Sequence, residues 1–315
     1  MSPEVSIVIP AHNEEGCVEE IHRRLVQVLE QQGVSYEILF VDDGSSDRTF
    51  EILHILAAHD SHVRAIRLSR NFGHQAALSA GLAEARGRAV ISMDCDLQHP
   101  PEVIPELLSG WRQGAEVVIT VREETVGAGA GKRWTSGLFY RFVNALSPVP
   151  ITTAAADFRL LDRKAVNALN AMPERTRFLR GLVPWIGFRQ DEVRFRAPER
   201  FAGETQFSYR RMLSFALNGV LSLSAMPLRL ATLVGAGIFS LGLVYGVYVV
   251  LTALFNPASQ PGWASIILAI LLVGGVQIFF MGVIGEYLAR VFDEVKGRPL
   301  YIIAESIGGE EREER

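Results

Sequence analysis

From residue 1 to about 125, short apolar runs alternate with stretches whose apolar positions recur every three to four residues. Five runs, Val5–Pro10, Tyr36–Val41, Val63–Leu68, Ala89–Met93 and Val117–Val121, are apolar over most of their length, as strands covered on both faces are. Between the first two, Val18, Ile21, Leu25, Val28 and Leu29 fall on one face of a helix; Val103, Ile104, Leu107, Leu108 and Trp111 do so before the fifth. Pro100 and Pro101 stand where that later helix begins, a position at which a missing amide costs little. The alternation predicts an α/β fold: a mostly parallel, Rossmann-like sheet with helices on both faces.

The pattern is less regular from about 126 to 200, where GAGAG at 127–131 predicts a flexible loop. It changes character in the last third. Leu230 to Phe255 and Trp263 to Gly285 carry no charged residue over about 26 and about 23 positions. At ~1.5 Å rise per residue each spans roughly 35 to 39 Å, against a hydrocarbon core of ~30 Å. The connection NPASQPG is rich in turn formers and too short for a domain, so the two segments read as a transmembrane hairpin. Arg210, Arg211 and Arg229 precede it, and Arg290, Lys296 and Arg298 follow it, while the connecting loop is uncharged. The positive-inside rule then predicts that the 1–204 domain and both termini lie in the cytoplasm, on a protein of the cytoplasmic membrane.

Residues 205–229 mix Tyr209, Met212, Leu213, Phe215 and Leu217 with arginines, as a juxtamembrane amphipathic helix would, a core helix being the alternative. Residues 286–315 make a cytoplasmic C-terminal segment whose last residues, EEREER, read as a solvated tail.

Charge narrows the classes. With 31 basic and 35 acidic residues the net charge is -4, so no global positive field of the kind a nucleic-acid binder uses is present. Cys17 and Cys95 form no CxxC pattern and read as buried thiols in a reducing compartment. MSPEVSIVIP has neither a basic n-region nor a long apolar run, and so does not read as a secretory signal.

Three clusters carry candidate chemistry, each placed after a predicted strand, where open sheets present their binding loops. The first is PAHNEE, Pro10 to Glu15. The second is Asp42-Asp43-Gly44-Ser45-Ser46-Asp47, in which Ser46 or Asp47 is expected to cap the helix near Thr49. The third is Asp94-Cys95-Asp96-Leu97-Gln98. In extended backbone alternate side chains share a direction, so Asp94, Asp96 and Gln98 would converge as oxygen ligands suited to Mg²⁺ or Mn²⁺ and a bound diphosphate. Without a cation, Asp42, Asp43, Asp94 and Asp96 at one sheet edge would repel and raise one another's pKa values. GAGAGKR is too short for a P-loop, and His12, His74 and His99 read as loop residues without metal-ligand spacing, His74 bordering the pocket.

The order of IVIPAHNEE, VDDGSSD, LSRNFGHQAAL, DCDLQHPPE, KRWTSGLFYR, DFRLLDR, FLRGLVPWIGF, RFAGET and GEYLARVFDEVKGRPLYII resembles the family-2 glycosyltransferases of GT-A fold. Within them it resembles the polyprenyl-phosphate branch, which includes dolichol-phosphate mannose synthases and bacterial undecaprenyl-phosphate glucosyltransferases. The resemblance implies that Pro10, Ala11, Asn13, Glu14, Asp42, Asp94 and Gly73 hold the nucleotide, with Asp43 nearby. It implies a metal and diphosphate site at Asp94, Asp96 and Gln98, with Asp96 catalytic. It also implies that Arg133 and Ser136 receive the lipid phosphate with Arg122 near it, and that Arg200 approaches the diphosphate. Asp157 is the matching position beside sugar and acceptor, as a general base or a positioning group.

The implied reaction moves a sugar, UDP-glucose being the preferred donor, to polyprenyl phosphate at the bilayer surface with inversion. The alternatives are a GDP-mannose-dependent mannosyltransferase and, in a different class, a non-catalytic membrane scaffold on the same fold. A polysaccharide synthase fits less well, since the QxxRW signature is missing. Homo-oligomerisation is left open.

Overall fold

The structure, a computed structural model, describes residues 2–122, 155–172, 174–175, 177–196, 226–255 and 262–308. They fall into two compact units, one holding the described residues up to 196 together with 299–308, the other holding 226–255 and 262–298.

The five expected strands form as β1 (Val5–Ala11), β2 (Tyr36–Asp42), β3 (Val63–Leu68), β4 (Ala89–Ser92) and β5 (Val117–Arg122). Three more join them: β6 (Ala155–Asp162), β7 (Gln190–Phe195) and β8 (Ile303–Ile307). The sheet runs β7-β5-β6-β4-β1-β2-β3-β8. Strands β4, β1, β2 and β3 are parallel neighbours, as are β5 and β7, whereas β6 runs antiparallel to β4 and β5, and β8 antiparallel to β3. The last of these draws the segment after the apolar helices back into the sheet as an edge strand.

Helices α1 (Val18–Gln32), α2 (Thr49–His59) and α4 (Ile104–Arg112, after a 3-10 turn at Pro101–Val103) contribute to one core. Helices α3 (His74–Glu84), α5 (Arg163–Asn170) and α6 (Leu179–Trp185) contribute to the other. β1 divides between the two by its two-residue period: Ile7 and Ile9 join Leu25, Phe40 and Leu107, while Val8 joins Leu39, Leu78 and Leu182. The apolar face read for α1 is fully confirmed, all five of its residues being buried. α3 sits close on the sheet because Gly81 lacks a side chain; a Cβ there would lie 2.2 Å from a methyl of Val8.

In the second unit α7 (Met226–Phe255) and α8 (Trp263–Val295) are long and apolar enough to cross a membrane, within Ala231–Tyr248 and Val273–Val295. α8 runs ten residues beyond the expected Gly285, because nothing after it breaks a helix before Gly297 and Pro299. Large apolar side chains on both helices face outward, Phe239 and Leu241 at 72% and Ile278 at 73% exposure. A surface of this kind is covered by lipid or protein, not by water. The predicted juxtamembrane helix lies outside the described residues.

Candidate active site

The loops after β1 and β2 are joined into one body. The register sets Pro10 opposite Val41 and Ala11 opposite Asp42, and the ladder continues with the Asp43 amide donating to the Ala11 carbonyl at 2.9 Å. Asn13 takes a left-handed φ of 57°, which lets its backbone N–H donate to Ser45 Oγ (3.0 Å) while its Oδ1 accepts from the Ser46 amide (2.9 Å). Asparagine tolerates that conformation better than most residues. The Glu14 amide donates to Thr49 Oγ1 at 2.8 Å. The N-cap of α2 is Arg48, without a side-chain cap bond, and not Ser46 or Asp47 as expected; Asp47 lies one residue earlier and accepts from the Thr49 amide at 3.0 Å in a turn.

Asp42 and Asp43 do different things. Asp42 is fully buried; its Oδ1 accepts from the Ser45 amide at 3.0 Å. Its Oδ2 lies 3.3 Å from Arg67 Nε and has no hydrogen-bond partner among the described residues. Asp43 uses both oxygens, accepting from the amides of Phe72 (2.7 Å) and Gly73 (2.9 Å). Burial pushes the Asp43 carboxyl up, with those two amides and His12 opposing. Asp43 therefore anchors the 70–73 loop, and Gly73, at φ 97°, gives its amide to that anchor as α3 begins.

The third cluster departs from the expected geometry. β4 ends at Ser92, and the chain bends through Asp94–Gln98 with Leu97 at φ 61°. The strand alternation that would aim Asp94, Asp96 and Gln98 together is therefore not present. The Gln98 amide instead donates to Asp96 Oδ1 at 3.1 Å, which fixes the turn locally. Asp94 Oδ1 lies 2.8 Å from His74 Nε2, and the Asp94 amide donates to His99 Nδ1 at 2.9 Å. A ring nitrogen that accepts carries no proton, so His99 Nδ1, 3.6 Å from Asp94 Oδ2, makes no ion pair with it in this arrangement. Mutual repulsion was expected to raise these carboxyls. Burial does push Asp94 up, but the hydrogen bond and charge of His74 oppose it, leaving its pKa lowered. His74 moves the other way: desolvation pulls it down, Asp94 more than reverses this, and its pKa is raised.

β6 brings Asp157 to the same place. In the β4–β6 ladder Ser92 faces Arg159, and Ser92 Oγ donates to the Asp157 carbonyl at 2.6 Å, which sets Asp157 beside the end of β4. Asp157 is buried at 5% exposure. Arg159, also on β6, is bonded to its Oδ1. From α6, Arg180 donates Nη2 to Oδ2 at 2.8 Å, its Nε lying 3.2 Å from both oxygens. Burial alone would raise Asp157; Arg159 and Arg180 reverse this and hold its carboxyl well below the usual carboxylate range.

The structure thus joins Pro10, Ala11, Asn13, Glu14, Asp42, Asp43 and Gly73 through the first loops, and sets Asp94 near Asp157 at the ends of β4 and β6, while Asp96 and Gln98 lie in the bend after β4 and are not aimed with Asp94. Arg122 is exposed at the end of β5. Arg133, Ser136 and Arg200 lie outside the described residues. Sequence reasoning passed over Arg159, Arg180 and the packing of His99. Arg159 was accessible in principle, because Asp157 and Arg159 stand two apart in a strand. His99 was not: it is buried by stacking on Phe158 (5.3 Å between ring centroids) and against Phe195 (6.1 Å), which lie far from it in sequence.

Comparison with known proteins adds a second line of observation. Residues 6–169 match glycosyl transferase family 2, and residues 226–291 match the GtrB C-terminal hairpin. A glycosyltransferase of Synechocystis sp. is 44% identical over 308 residues, covering 98% of this chain and 97% of that protein. The SfII prophage-derived bactoprenol glucosyl transferase of Shigella flexneri is 38% identical over 305 residues, covering 97% and 99%. The prophage bactoprenol glucosyl transferase homolog of Escherichia coli K12 is 38% identical over 299 residues, covering 95% and 98%. Among solved structures, glucosyl-3-phosphoglycerate synthase from Mycobacterium tuberculosis is 18% identical, covering 70% of this chain and 78% of that one, with a TM-score of 0.47.

Proposed function

From the premise that this chain belongs to glycosyl transferase family 2 and carries the GtrB C-terminal hairpin, we propose that it moves glucose from UDP-glucose to a polyprenyl phosphate of the undecaprenyl kind. It is a hexosyltransferase; the acceptor, the donor and the inverting course are our reading. The observation that carries it is the near-full-length relationship to bactoprenol glucosyl transferases, hairpin included.

In this reading an oxygen of the lipid phosphate attacks the anomeric carbon, and the bond from that carbon to the diphosphate breaks on the opposite side. The nucleoside diphosphate leaves with the electron pair. A phosphate monoester has its second pKa near ~6, so the attacking oxygen needs no base at neutral pH. The work left to the chain is positioning and charge stabilisation.

Asp42 supports the uridine preference. Its Oδ2, which accepts no hydrogen bond among the described residues and is paired only by charge with Arg67, matches the single ring N–H of uracil, whereas guanine's edge, with adjacent ring and exocyclic N–H groups, asks for two acceptors. Because Asp42 is buried, the base reaches it only if neighbouring side chains such as Arg67 shift.

Among the described residues no three His, Cys, Asp or Glu side chains are grouped to hold a metal ion. Two carboxylates and an amide oxygen, at Asp94, Asp96 and Gln98, nevertheless fit Mg²⁺ or Mn²⁺, which take hard oxygen ligands and complete their shell with water and substrate phosphates. When bound with the donor, such an ion supplies neutralisation of the departing diphosphate. His74 holds Oδ1 of Asp94 and the Gln98 amide holds Oδ1 of Asp96, so each carboxylate is oriented by the protein.

The chain leaves the sheet after β7, runs through α7 and α8, and returns as β8 on β3. Such a return is met by two membrane crossings and not by one, and it supports placing both ends of the hairpin in one compartment. The flanking Arg229, Arg290, Lys296 and Arg298 support reading that compartment as the cytoplasm.

The test is to incubate the purified chain with undecaprenyl phosphate, Mn²⁺ and a panel of nucleotide sugars, and to weigh the lipid products. A hexose adduct from UDP-glucose is expected, with Asp96→Asn lowering turnover roughly 100- to 1,000-fold while membrane insertion is kept. Normal turnover in Asp96→Asn refutes the metal assignment. Product from GDP-mannose alone shifts the donor to the mannosyl alternative, and donor binding without any transfer returns the chain to the scaffold reading.

A further inference from the structure

The Asp157 carboxylate meets charged groups from every element packed around it. Arg159 comes from its own strand and Arg180 from α6; His74 of α3 and Asp94 after β4 face it through their fields. Asp157 and Arg159 are both almost wholly removed from water, and Arg180 is one-third exposed, so the cluster reaches solvent on the Arg180 side. Two guanidinium groups against one carboxylate leave the cluster positive, and a buried arrangement of this kind is held by geometry as well as charge.

The first turn of α6 is itself fixed. Gln75 Oε1 accepts from the Leu179 amide at 3.1 Å, and Arg159 Nη1 donates to the Leu179 carbonyl at 3.4 Å. The Gln75 amide nitrogen lies 3.3 Å from His74 Nδ1, whose other ring nitrogen faces Asp94. The turn that carries Arg180 is thereby tied to the residue pair on the diphosphate side.

We propose that Arg180 is a positioning residue that aims the Asp157 carboxylate, so that Asp157 accepts a hydrogen bond from the sugar of the bound donor in place of acting as a base. The inference rests on the transferase reading above and resolves the two roles open to Asp157. A general base works best when its proton affinity is matched to the operating pH. A carboxylate gripped by two guanidinium groups has lost that affinity.

The two roles predict opposite signs for one substitution. If Asp157 were the base, Arg180→Gln would strengthen it and hold or raise the rate. If Asp157 must stay charged and aimed, the same change lowers the rate.

The experiment uses the full chain in detergent with Mn²⁺, UDP-glucose and undecaprenyl phosphate. Arg180→Gln is expected to lower kcat roughly 10- to 100-fold at pH 7.5, with UDP affinity kept within about threefold, and Arg180→Lys to recover part of the loss. A variant kcat equal to or above wild type overturns the proposal, and so does equal loss in both variants with UDP binding gone, which marks a structural role. A wild type that glucosylates no lipid sinks the transferase reading instead. The inference is then read by calorimetry with Mn²⁺: Arg180→Gln should weaken UDP-glucose, or GDP-mannose if that is the donor bound, relative to the free nucleotide. An unchanged ratio overturns it.

Discussion

Gly44 and Gly33 form a matched pair that separates backbone strain from steric contact. Both sit in left-handed conformation, at φ 66° and 61°. Gly33 ends α1, and a Cβ there would meet nothing within 4 Å. At Gly44 a Cβ would lie 2.6 Å from the carbonyl carbon of Arg70 and 2.8 Å from the amide nitrogen of Asn71, both backbone atoms that cannot rotate away. Gly33→Ala should therefore cost only the left-handed penalty, about 1–2 kcal/mol. Gly44→Ala should add an overpacking cost of about 1–3 kcal/mol, for a total of roughly 2–5 kcal/mol. For a domain of this size ~1 kcal/mol moves Tm by about 2–4 °C, so the expected losses are roughly 2–8 °C and roughly 4–20 °C.

Thermal melts of the full chain in detergent measure both. The loop that Gly44 would displace supplies the two amides on Asp43 and leads into His74, so Gly44→Ala should also weaken nucleotide binding while Gly33→Ala leaves it intact. Equal melting temperatures for the two variants would refute the close approach of the 70–73 loop to Gly44.

Three further outcomes are expected. Asp60 is raised by burial, but the His62 amide and the imidazoles of His22 and His62 reverse this and leave its pKa lowered. Its stabilisation is accordingly present above the unfolded value of ~3.9 and lost as pH falls through the folded value. The Tm gap between wild type and Asp60→Asn should be widest near neutrality and close below about pH 4, and a gap that widens there contradicts the pairing. Cys17 and Cys95 are buried, and burial pushes the Cys17 thiol up to about 11 and Cys95 well above the ordinary thiol value. Neither should be labelled by a thiol reagent at pH 7.5 until the chain is denatured, so rapid stoichiometric labelling of the native protein counts against this packing. Leu241, turned outward on α7, should not tolerate charge. Leu241→Asp places about 2.5–3.5 kcal/mol against insertion, read as carbonate-extractable protein, and full retention in the membrane argues that this face meets something other than lipid.

What the amino-acid order determined by itself is what local pattern encodes. β1 to β5 were legible because a strand covered on both faces must be apolar at successive positions, whichever neighbours cover it. The face of α1 was legible because its five apolar residues repeat at helical spacing. The two long uncharged segments needed no partner to be read as candidate membrane helices, since length and the lack of charge are local properties of the chain. The order of the acidic clusters likewise placed Asp42, Asp43, Asp94 and Asp96 at strand ends.

The tertiary structure decided what depends on partners. β6 carries Asp157 and Arg159 in its interior, and a buried charge is tolerable only beside an opposite one, part of which Arg180 supplies from α6. β7 and β8 are edge strands with mostly exposed side chains, so their pairing with β5 and β3 leaves little hydrophobic trace. The bend at Leu97 replaced the expected alternation around Asp94 and Asp96, and the burial of His99 came from two aromatic rings of other strands. Apolar burial is written residue by residue along a chain, but a polar side chain takes its role from the group that assembly sets opposite it.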